Sequence, residues 1–367
     1  MATSVSYDTR AIAAAFTLLG DFASAEPYGS GHINDTFALE MTQGGRRLRY
    51  VLQRINHNIF KNPDGLMENV ERVCRHTQAK LQAAGAADAS RRALTLVPTK
   101  AGRGWHTDPA GNRWRCYVFV EGATGHDIIR NADQAFQAAK AFGAFQALVA
   151  DLPGGRLVET IPYFHHTPTR FANFQTALAK DAHGRAAQAL PEIAFALARA
   201  HEVGVIADAM ARGDIPERVT HNDTKLNNVL LDNETQEGIC VIDLDTVMPG
   251  SALYDFDDLV RTSTSPAAED ETDLSKVTMQ LPMFEALLKG YLTTAGGFLT
   301  ARERELLPFA GKLITFEIGL RFLTDWLEGD VYFKIKHPQH NLDRLRTQFK
   351  LVESIEAQLP AMQALVQ

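Results

Sequence analysis

The sequence predicts an α+β protein of two lobes, a smaller β-rich lobe over residues 1–119 and a larger, mostly helical lobe over residues 120–367. The length supports two lobes, because 367 residues exceed the size of a typical single domain. Short apolar runs separated by glycine or proline turns fill the first third of the chain. From residue 127 onward, apolar residues recur at helical spacing instead. The change occurs at Phe119 and Val120, and we place the domain boundary between these two residues.

Turn and periodicity signals predict the individual elements in order. Gly44 and Gly45 predict a hairpin turn between two strands of the first lobe. Thr300 and Glu303 form a capping-box pattern that opens a helix near Ala301. The predicted elements are a helix over 6–22, strands over 28–39 and 48–55, a helix over 66–84, strands over 94–98, 104–106 and 113–120, and helices over 131–149, 184–211, 312–326 and 341–359.

Composition excludes several classes of protein. With 45% hydrophobic and 22% charged residues, the chain is ordinary globular material. The formal charge of −7 argues against a nucleic-acid-binding surface. No apolar run approaches the ~20 residues that span a bilayer, and Asp8 beside Arg10 argues against a cleaved export signal. Three widely spaced cysteines favour reduced thiols, so we expect a cytoplasmic protein without a membrane partner.

The stretch from His221 to Asp245 is the part of the chain most suggestive of chemistry. It contains His221-x-Asp223-x-x-x-x-Asn228, then two short β-type runs separated by a polar turn that ends in glycine. These runs predict a hairpin that brings Asp243 beside Asn228. The period-2 alternation of a strand would also place Asp243 and Asp245 on one face.

This order of residues suits phosphoryl transfer. That reaction depends on positioning and charge neutralisation more than on covalent chemistry. Asp223 suits the group that orients the acceptor hydroxyl and takes its proton. Mg²⁺ prefers hard oxygen ligands and binds few protein groups, which suits Asn228 and Asp243, with Asp245 as an additional ligand.

The segments THNDTKLNN, CVIDLDTVMPG and ALYDFDDLVR resemble the aminoglycoside/choline phosphotransferase family, the small-molecule relatives of protein kinases. The resemblance implies a bilobal protein-kinase-like fold and a phosphotransferase that uses ATP and Mg²⁺ and has an alcohol group as acceptor. The segments are most similar to members that phosphorylate the C1 hydroxyl of the N-acetylhexosamines GlcNAc and GalNAc. We therefore expect a sugar and ATP as partners, no nucleic acid, and a monomer.

The resemblance places the nucleotide contacts in the first lobe. Gly29 and Gly31 let backbone N–H groups approach phosphates closely. A hinge at Phe119 and Val120 is expected to offer backbone groups to adenine, as in the family.

The family usually has a phosphate-binding lysine on the strand over residues 50–55, where this sequence has none. Arg54 is the expected substitute, because a guanidinium can bind phosphate through two parallel N–H bonds. The family pairs this cation with a helical glutamate. Here that partner is Glu68, with Glu71 left open as the alternative.

The acceptor side is expected to combine hydroxyl-binding polar groups with an aromatic platform, as sugar sites do. In the family motif, His221 braces the catalytic loop, and Asp255 or Asp258 is expected to hold that loop from below. The candidate sugar-binding residues are His32, Asn34, Asp223, Arg321, Trp326 and Tyr332.

Other readings remain open at this level. The acceptor could be homoserine, choline, methylthioribose or an aminoglycoside, the last favoured by the acidic residues over 255–258. A nucleotide-binding module without catalysis is a further alternative. A serine hydrolase is disfavoured because no Gly-x-Ser-x-Gly segment occurs.

Overall fold

The computed structural model describes residues 7–29 and 33–366, and the chain divides into two compact units. Unit 1 comprises the described part of Met1–Ala123, Asp151–Ile161 and Ile239–Met248. Unit 2 comprises Thr124–Ala150, Pro162–Gly238 and the described part of Pro249–Gln367. The sequence analysis placed a single boundary after residue 119. The observed division falls after Ala123 and returns two later segments to unit 1.

The elements up to residue 123 are mostly strands. They are α1 (Thr9–Ala13), β1 (Asp21–Pro27), β2 (Asp35–Gln43), β3 (Arg46–Ile55), α2 (Pro63–Ala83), α3 (Ala89–Arg92), β4 (Trp105–Thr107) and β5 (Arg113–Val118). The elements that follow are mostly helices. They are β6 (Ala123–Gly125), α4 (Ala132–Val149), α5 (Thr167–Lys180), α6 (Leu190–Ala198), α7 (Val205–Arg212), β7 (Arg218–Thr220), β8 (Val229–Asp232), β9 (Gly238–Val241), β10 (Met248–Gly250), α8 (Ala252–Ser263), α9 (Leu281–Ala295), α10 (Ala301–Leu327) and α11 (His340–Val366).

Unit 1 is built on an antiparallel sheet with the strand order β1-β2-β3-β5-β4. The hairpin between β2 and β3 turns at Gly44 and Gly45, as the sequence predicted, and both have positive φ, 55° and 76°. Two positive φ values are what a two-residue hairpin turn of the favoured twist requires. One face of the sheet buries Leu52 and Trp114 against Phe16, which follows α1.

The helix predicted over residues 6–22 is wrong beyond its first turns. The α1 helix ends at Ala13, and Phe16 forms a β-bridge with Thr99. Gly20 then adopts φ 86°, where a Cβ would lie 2.6 Å from the carbonyl oxygen of Thr42. Only glycine fits this close approach, which turns the chain into β1. The helical apolar spacing of the segment reflects core contacts made by a short helix and a strand.

Unit 2 is organised around α10, which packs against α5, α8 and α11. The predicted capping box at Thr300 and Glu303 is confirmed. The helix then runs unbroken past Pro308. The prediction of a separate helix that begins at Lys312 is therefore wrong. The helix continues because it is the buried centre of the unit. Gly311 packs against Val260 of α8, and a Cβ there would lie 2.7 Å from the valine side chain.

The α4 and α9 helices approach each other closely through two glycines. A Cβ on Gly143 would lie 2.8 Å from the carbonyl oxygen of Tyr291. A Cβ on Gly290 would collide with the carbonyl oxygen of Phe136. Side-chain-free surfaces at these points bring the two helix backbones together. The α4 helix thereby gains a fixed position from which Gln146 reaches the site described below.

All three cysteines are unpaired and buried. Burial raises the pKa of the thiols of Cys74 and Cys240 to about 12. Because the thiolate is the reactive form, these cysteines are chemically inert at neutral pH. Within the described residues, no helix is long and apolar enough to cross a membrane.

Candidate active site

The candidate catalytic loop, residues 221–228 of unit 2, follows β7 and is held by a buried carboxylate of α8. Asp255 accepts hydrogen bonds from the backbone N–H groups of His221, at 2.9 Å, and Asn222, at 2.7 Å. The side chain of Gln146 donates to the same carboxylate at 2.6 Å. Asp258 instead forms an ion pair with Arg261 at 2.7 Å. Of the two residues left open by the sequence, Asp255 is therefore the one that braces the loop.

His221 is fully buried, as its assigned structural role predicts. Its ring lies edge-on to Phe142 and Phe145, with centroid distances of 5.3 and 5.8 Å. The backbone N–H of Asp223 donates to His221 Nδ1 at 3.3 Å. The imidazole thus supports the loop from the core.

Asn222 precedes Asp223 and adopts a left-handed conformation, with φ 65°. Asparagine tolerates this region better than most residues, and such strain concentrates at functional sites. A buried chain of side chains fixes it, because His165 Nε2 lies 2.8 Å from the Asn222 carbonyl oxygen and Nδ1 lies 3.3 Å from Glu317. Thr167 donates to the second Glu317 oxygen at 2.7 Å.

Asp223 is held by two neighbours on its own loop. The Asn228 side-chain amide donates to Asp223 Oδ2 at 3.0 Å and to the Asp223 carbonyl oxygen at 2.8 Å. Lys225 Nζ lies 2.6 Å from Asp223 Oδ1. Burial alone would raise the pKa of the Asp223 carboxyl, but Lys225, with smaller contributions from His221 and Asn228, holds it below its ordinary value. Asp223 is therefore an ionised, oriented hydrogen-bond acceptor at neutral pH.

Lys225 is a candidate functional residue that the sequence analysis missed. Its ion pair with Asp223 raises the pKa of the ammonium, although desolvation alone would lower it, so the side chain stays charged. The signal available in the sequence was its position, two residues after Asp223 on the same loop.

Two of the predicted metal ligands lie in different units. Asn228, in a 3₁₀ turn of unit 2, uses its amide nitrogen for both bonds to Asp223, so its amide oxygen is the atom that suits a cation. Asp243, in unit 1, is exposed and adopts φ 60°. Carboxylate and amide oxygens are the donors that Mg²⁺ prefers. Over residues 7–29 and 33–366, no group of three or more His, Cys, Asp and Glu side chains is arranged to hold a metal.

The prediction that Asp243 and Asp245 share one face is wrong. The β9 strand ends at Val241, so strand alternation does not extend to these residues. Asp243 instead precedes a 3₁₀ turn, and Asp245 within that turn is buried and ion-paired with Arg115. Asn34, predicted to contact the sugar, donates to Asp245 at 2.6 Å.

The predicted pairing of Arg54 with a helical glutamate is also wrong. Arg54 Nε forms an ion pair with Asp35 at 2.6 Å, and its guanidinium lies 5.7 Å from the Tyr7 ring centre. Glu68 is exposed, and Glu71 lies against the backbone of Gly104. The physical reason is strand geometry, because Arg54 stands in register with Trp114 on the sheet face that packs against the N-terminal segment.

The backbone groups predicted to bind the nucleotide follow two strands, with Gly29 after β1 and Phe119 and Val120 after β5. Gly29 has φ 83°, whereas Gly31 and His32 fall outside the described residues. The Tyr28 ring meets the Phe119 ring with centroids 5.6 Å apart. The Phe119 N–H donates to the carbonyl oxygen of Arg49 in β3 at 3.2 Å, so this N–H is already used by the sheet.

Arg321 of α10 lies among three aromatic rings, and we call this group the Arg321 cluster. The guanidinium is 5.6 Å from the Phe164 ring centre, 5.8 Å from that of Tyr332 and 5.5 Å from that of Phe333. Phe164 also contacts His165, with ring centroids 4.4 Å apart, which links the cluster to the catalytic loop.

A second arginine, Arg170, borders the Arg321 cluster. It donates to the Phe164 carbonyl oxygen at 2.9 Å, and burial together with nearby Arg321 lowers its pKa. Among the described residues, neither arginine forms an ion pair. Trp326 is instead a core residue beneath Arg185, which corrects its assignment to the sugar site.

The acidic segment of α8 does not form an acidic surface. Asp255, Asp257 and Asp258 are all buried. Burial, with the charge of Asp258, raises the pKa of Asp257 well above its ordinary value. Asp255 holds the candidate catalytic loop and Asp258 pairs with Arg261, and none of the three lies at the surface as an acidic lining for a polycation.

A family model described as "Phosphotransferase enzyme family" matches residues 24–306, well over half of the chain. The chain belongs to this phosphotransferase family. The predicted α+β fold, with its N-terminal sheet and helical C-terminal region, is confirmed as the kinase-like fold of the family.

Solved structures of the same fold are distant in sequence from this phosphotransferase. An aminoglycoside phosphotransferase from Alicyclobacillus acidocaldarius is 14% identical, with 99% of this chain and 98% of that chain covered and a TM-score of 0.62. A spectinomycin phosphotransferase in complex with ADP and spectinomycin is 12% identical, with coverages of 93% and 94% and a TM-score of 0.53. An ethanolamine kinase from Plasmodium vivax is 15% identical, with coverages of 89% and 82% and a TM-score of 0.51.

Proposed function

We propose that this phosphotransferase is an N-acetylhexosamine 1-kinase, which transfers the γ-phosphoryl group of ATP to the C1 hydroxyl of GlcNAc or GalNAc. The observation that carries the proposal is the geometry of Asp223, an ionised carboxylate oriented by Lys225 and Asn228 on a braced loop. Asp223 orients the sugar hydroxyl and accepts its proton as the new O–P bond forms, and ADP leaves.

The proposal assigns the nucleotide to unit 1 and the acceptor to unit 2. Asn228 and Asp243 would hold Mg²⁺, which when bound neutralises charge on the nucleotide phosphates. Gly29 and Gly31 remain the candidate contacts to phosphate, and Phe119 and Val120 remain the candidate contacts to adenine. The nucleotide-bound relatives support a nucleotide site, since the spectinomycin phosphotransferase contains ADP.

The Arg321 cluster favours a neutral acceptor over the cationic alternatives. A choline site needs open aromatic faces around a quaternary ammonium, whereas the guanidinium of Arg321 already lies over these rings. An aminoglycoside site needs exposed carboxylates, and the three aspartates of α8 are buried. Hydroxyl and amide oxygens of a sugar can accept hydrogen bonds from Arg321, and the sugar ring can stack against Tyr332, which is exposed.

The test is an ADP-release assay across GlcNAc, GalNAc, glucose, galactose, homoserine, methylthioribose, choline and kanamycin. We expect turnover on the N-acetylhexosamines, with a 1-phosphate identified by ³¹P NMR. The methyl glycoside of GlcNAc is the matched control, because its C1 oxygen has no proton to lose. Turnover on the methyl glycoside would contradict transfer to C1, and a preference for another acceptor would select that alternative.

The catalytic assignment has its own test. We expect Asp223→Ala and Asp243→Ala each to lower turnover by several orders of magnitude without altering the circular dichroism spectrum. Near-normal activity of either folded variant would remove the mechanism.

A further inference from the structure

A buried ion pair joins Arg115 of β5 to Asp245 in unit 1. Their side chains are only 1% and 3% exposed. Arg115 Nε also donates to the Gln53 side chain at 3.0 Å, and Gln53 stands directly opposite Arg115 in the pairing of β3 with β5. A charged pair this deeply buried is expensive unless its remaining hydrogen-bonding groups are satisfied, and these are. The ion pair is therefore an integral part of the structure of unit 1.

Both carboxylate oxygens of Asp245 are used by the protein. One oxygen binds Arg115, and the other accepts a hydrogen bond from Asn34 Nδ2 at 2.6 Å. Asn34 is fixed in turn, because its Oδ1 accepts the backbone N–H of Asn56 at 3.0 Å. A carboxylate held in this way on the inside of the unit is not placed to bind a metal ion.

Asp243 lies two residues earlier and differs from Asp245 in its exposure and in its backbone conformation. It is exposed, it precedes the 3₁₀ turn Leu244–Thr246, and its φ of 60° is uncommon for a residue with a side chain. Such a conformation is strained for a residue with a side chain and persists only where the surroundings determine it. The anchored carboxylate of Asp245 supplies that determination within the same turn.

We propose that Arg115 and Asp245 are positioning residues that hold Asp243 in the conformation that binds the divalent cation of the nucleotide, and that Asp245 is not itself a ligand. This inference rests on the proposed function and assigns its metal side within unit 1. The positively charged side chain that supports the metal site in unit 1 is then Arg115 of β5, which lies opposite Gln53. Arg54 of β3 is instead paired with Asp35 on the other sheet face.

The experiment measures Mn²⁺ binding to the full chain in the presence of ADP, by electron paramagnetic resonance and by calorimetry, so no turnover is involved. Loss of an outer group that orients a metal ligand typically lowers metal affinity 10- to 100-fold. We expect that range for Arg115→Met, and a larger loss for Asp243→Asn. If Asp245 were a ligand masked by Arg115, the Arg115→Met change would instead raise Mn²⁺ affinity.

A second variant guards against misfolding. The double change Arg115→Met with Asp245→Leu removes both charges at once, and such replacements of buried pairs are often neutral for stability. We expect this variant to keep the wild-type thermal transition and metal-free ADP affinity while losing Mn²⁺ affinity 10- to 100-fold. Arg115→Lys, which keeps one charge, should lose less.

The outcomes separate the inference from the function on which it rests. Wild-type protein that binds Mn²⁺ with ADP, beside folded Arg115→Met or double variants with unchanged Mn²⁺ affinity, would overturn the positioning role alone. Wild-type protein without Mn²⁺-dependent ADP binding would overturn the proposed function and this role together.

Discussion

Lys225 sets the protonation of the proposed catalytic base, and Lys225→Met tests this directly. An opposite charge at this range lowers a carboxyl pKa by about 1–3 units. The Nζ–Oδ1 distance to Asp223 is 2.6 Å, and the lysine side chain is 42% exposed, so solvent screens part of this interaction. Asp223 has a depressed pKa and is ionised above it. Removal of the lysine should raise that pKa.

The assay is the pH dependence of kcat/KM, whose acidic limb reports the base in the free enzyme. We expect the limb of Lys225→Met to move to higher pH, while Lys225→Arg, which keeps the charge, retains the wild-type limb. A folded Lys225→Met protein with a reduced rate but an unmoved limb would refute the reasoning. In that case the lysine would act on the phosphates and not on Asp223.

Three further predictions concern the scaffold and the acceptor. Asp255→Ala leaves three buried N–H donors without their acceptor, at ~1–3 kcal/mol each, so urea unfolding should show a loss of at least ~3 kcal/mol; a loss near zero would contradict the bracing role. Gly290→Ala should destabilise by ~1–3 kcal/mol through overpacking, whereas Gly297→Ala, with open space around it, should be neutral or stabilising; equal effects would argue against close α4–α9 packing. Arg321→Met should raise the KM for the sugar ~10- to 100-fold with an unchanged melting temperature, and an unchanged KM would remove Arg321 from the acceptor site.

The fold class followed from local signals that tertiary contacts did not override. Glycine pairs, capping residues and helical periodicity act over a few residues, so the hairpin at Gly44 and the capping box at Thr300 were predictable. The segment after Ala13 was not, because its apolar spacing is set by contacts with Thr99, far along the chain. The same limit hid the continuity of α10, because its packing is set by α5, α8 and α11, which are distant along the chain.

The candidate site shows a similar division. The order of Asp223 and Asn228 along one loop could be read from spacing, because the loop is local. The partners of Arg54 and Asp245 could not, because each is chosen by the sheet face on which strand register places it. The sequence alternation suggested that Asp245 resembled Asp243, whereas the end of β9 at Val241 separates their roles.

The burial of every native thiol has a practical consequence for studies in solution. With Cys74, Cys116 and Cys240 all enclosed and protonated, maleimide reagents have no good target on the folded chain. One cysteine introduced at an exposed turn residue such as Asn233 would therefore take a fluorophore or spin label selectively. The native background requires no prior cysteine removal, so labelled protein keeps the packing of its wild-type core.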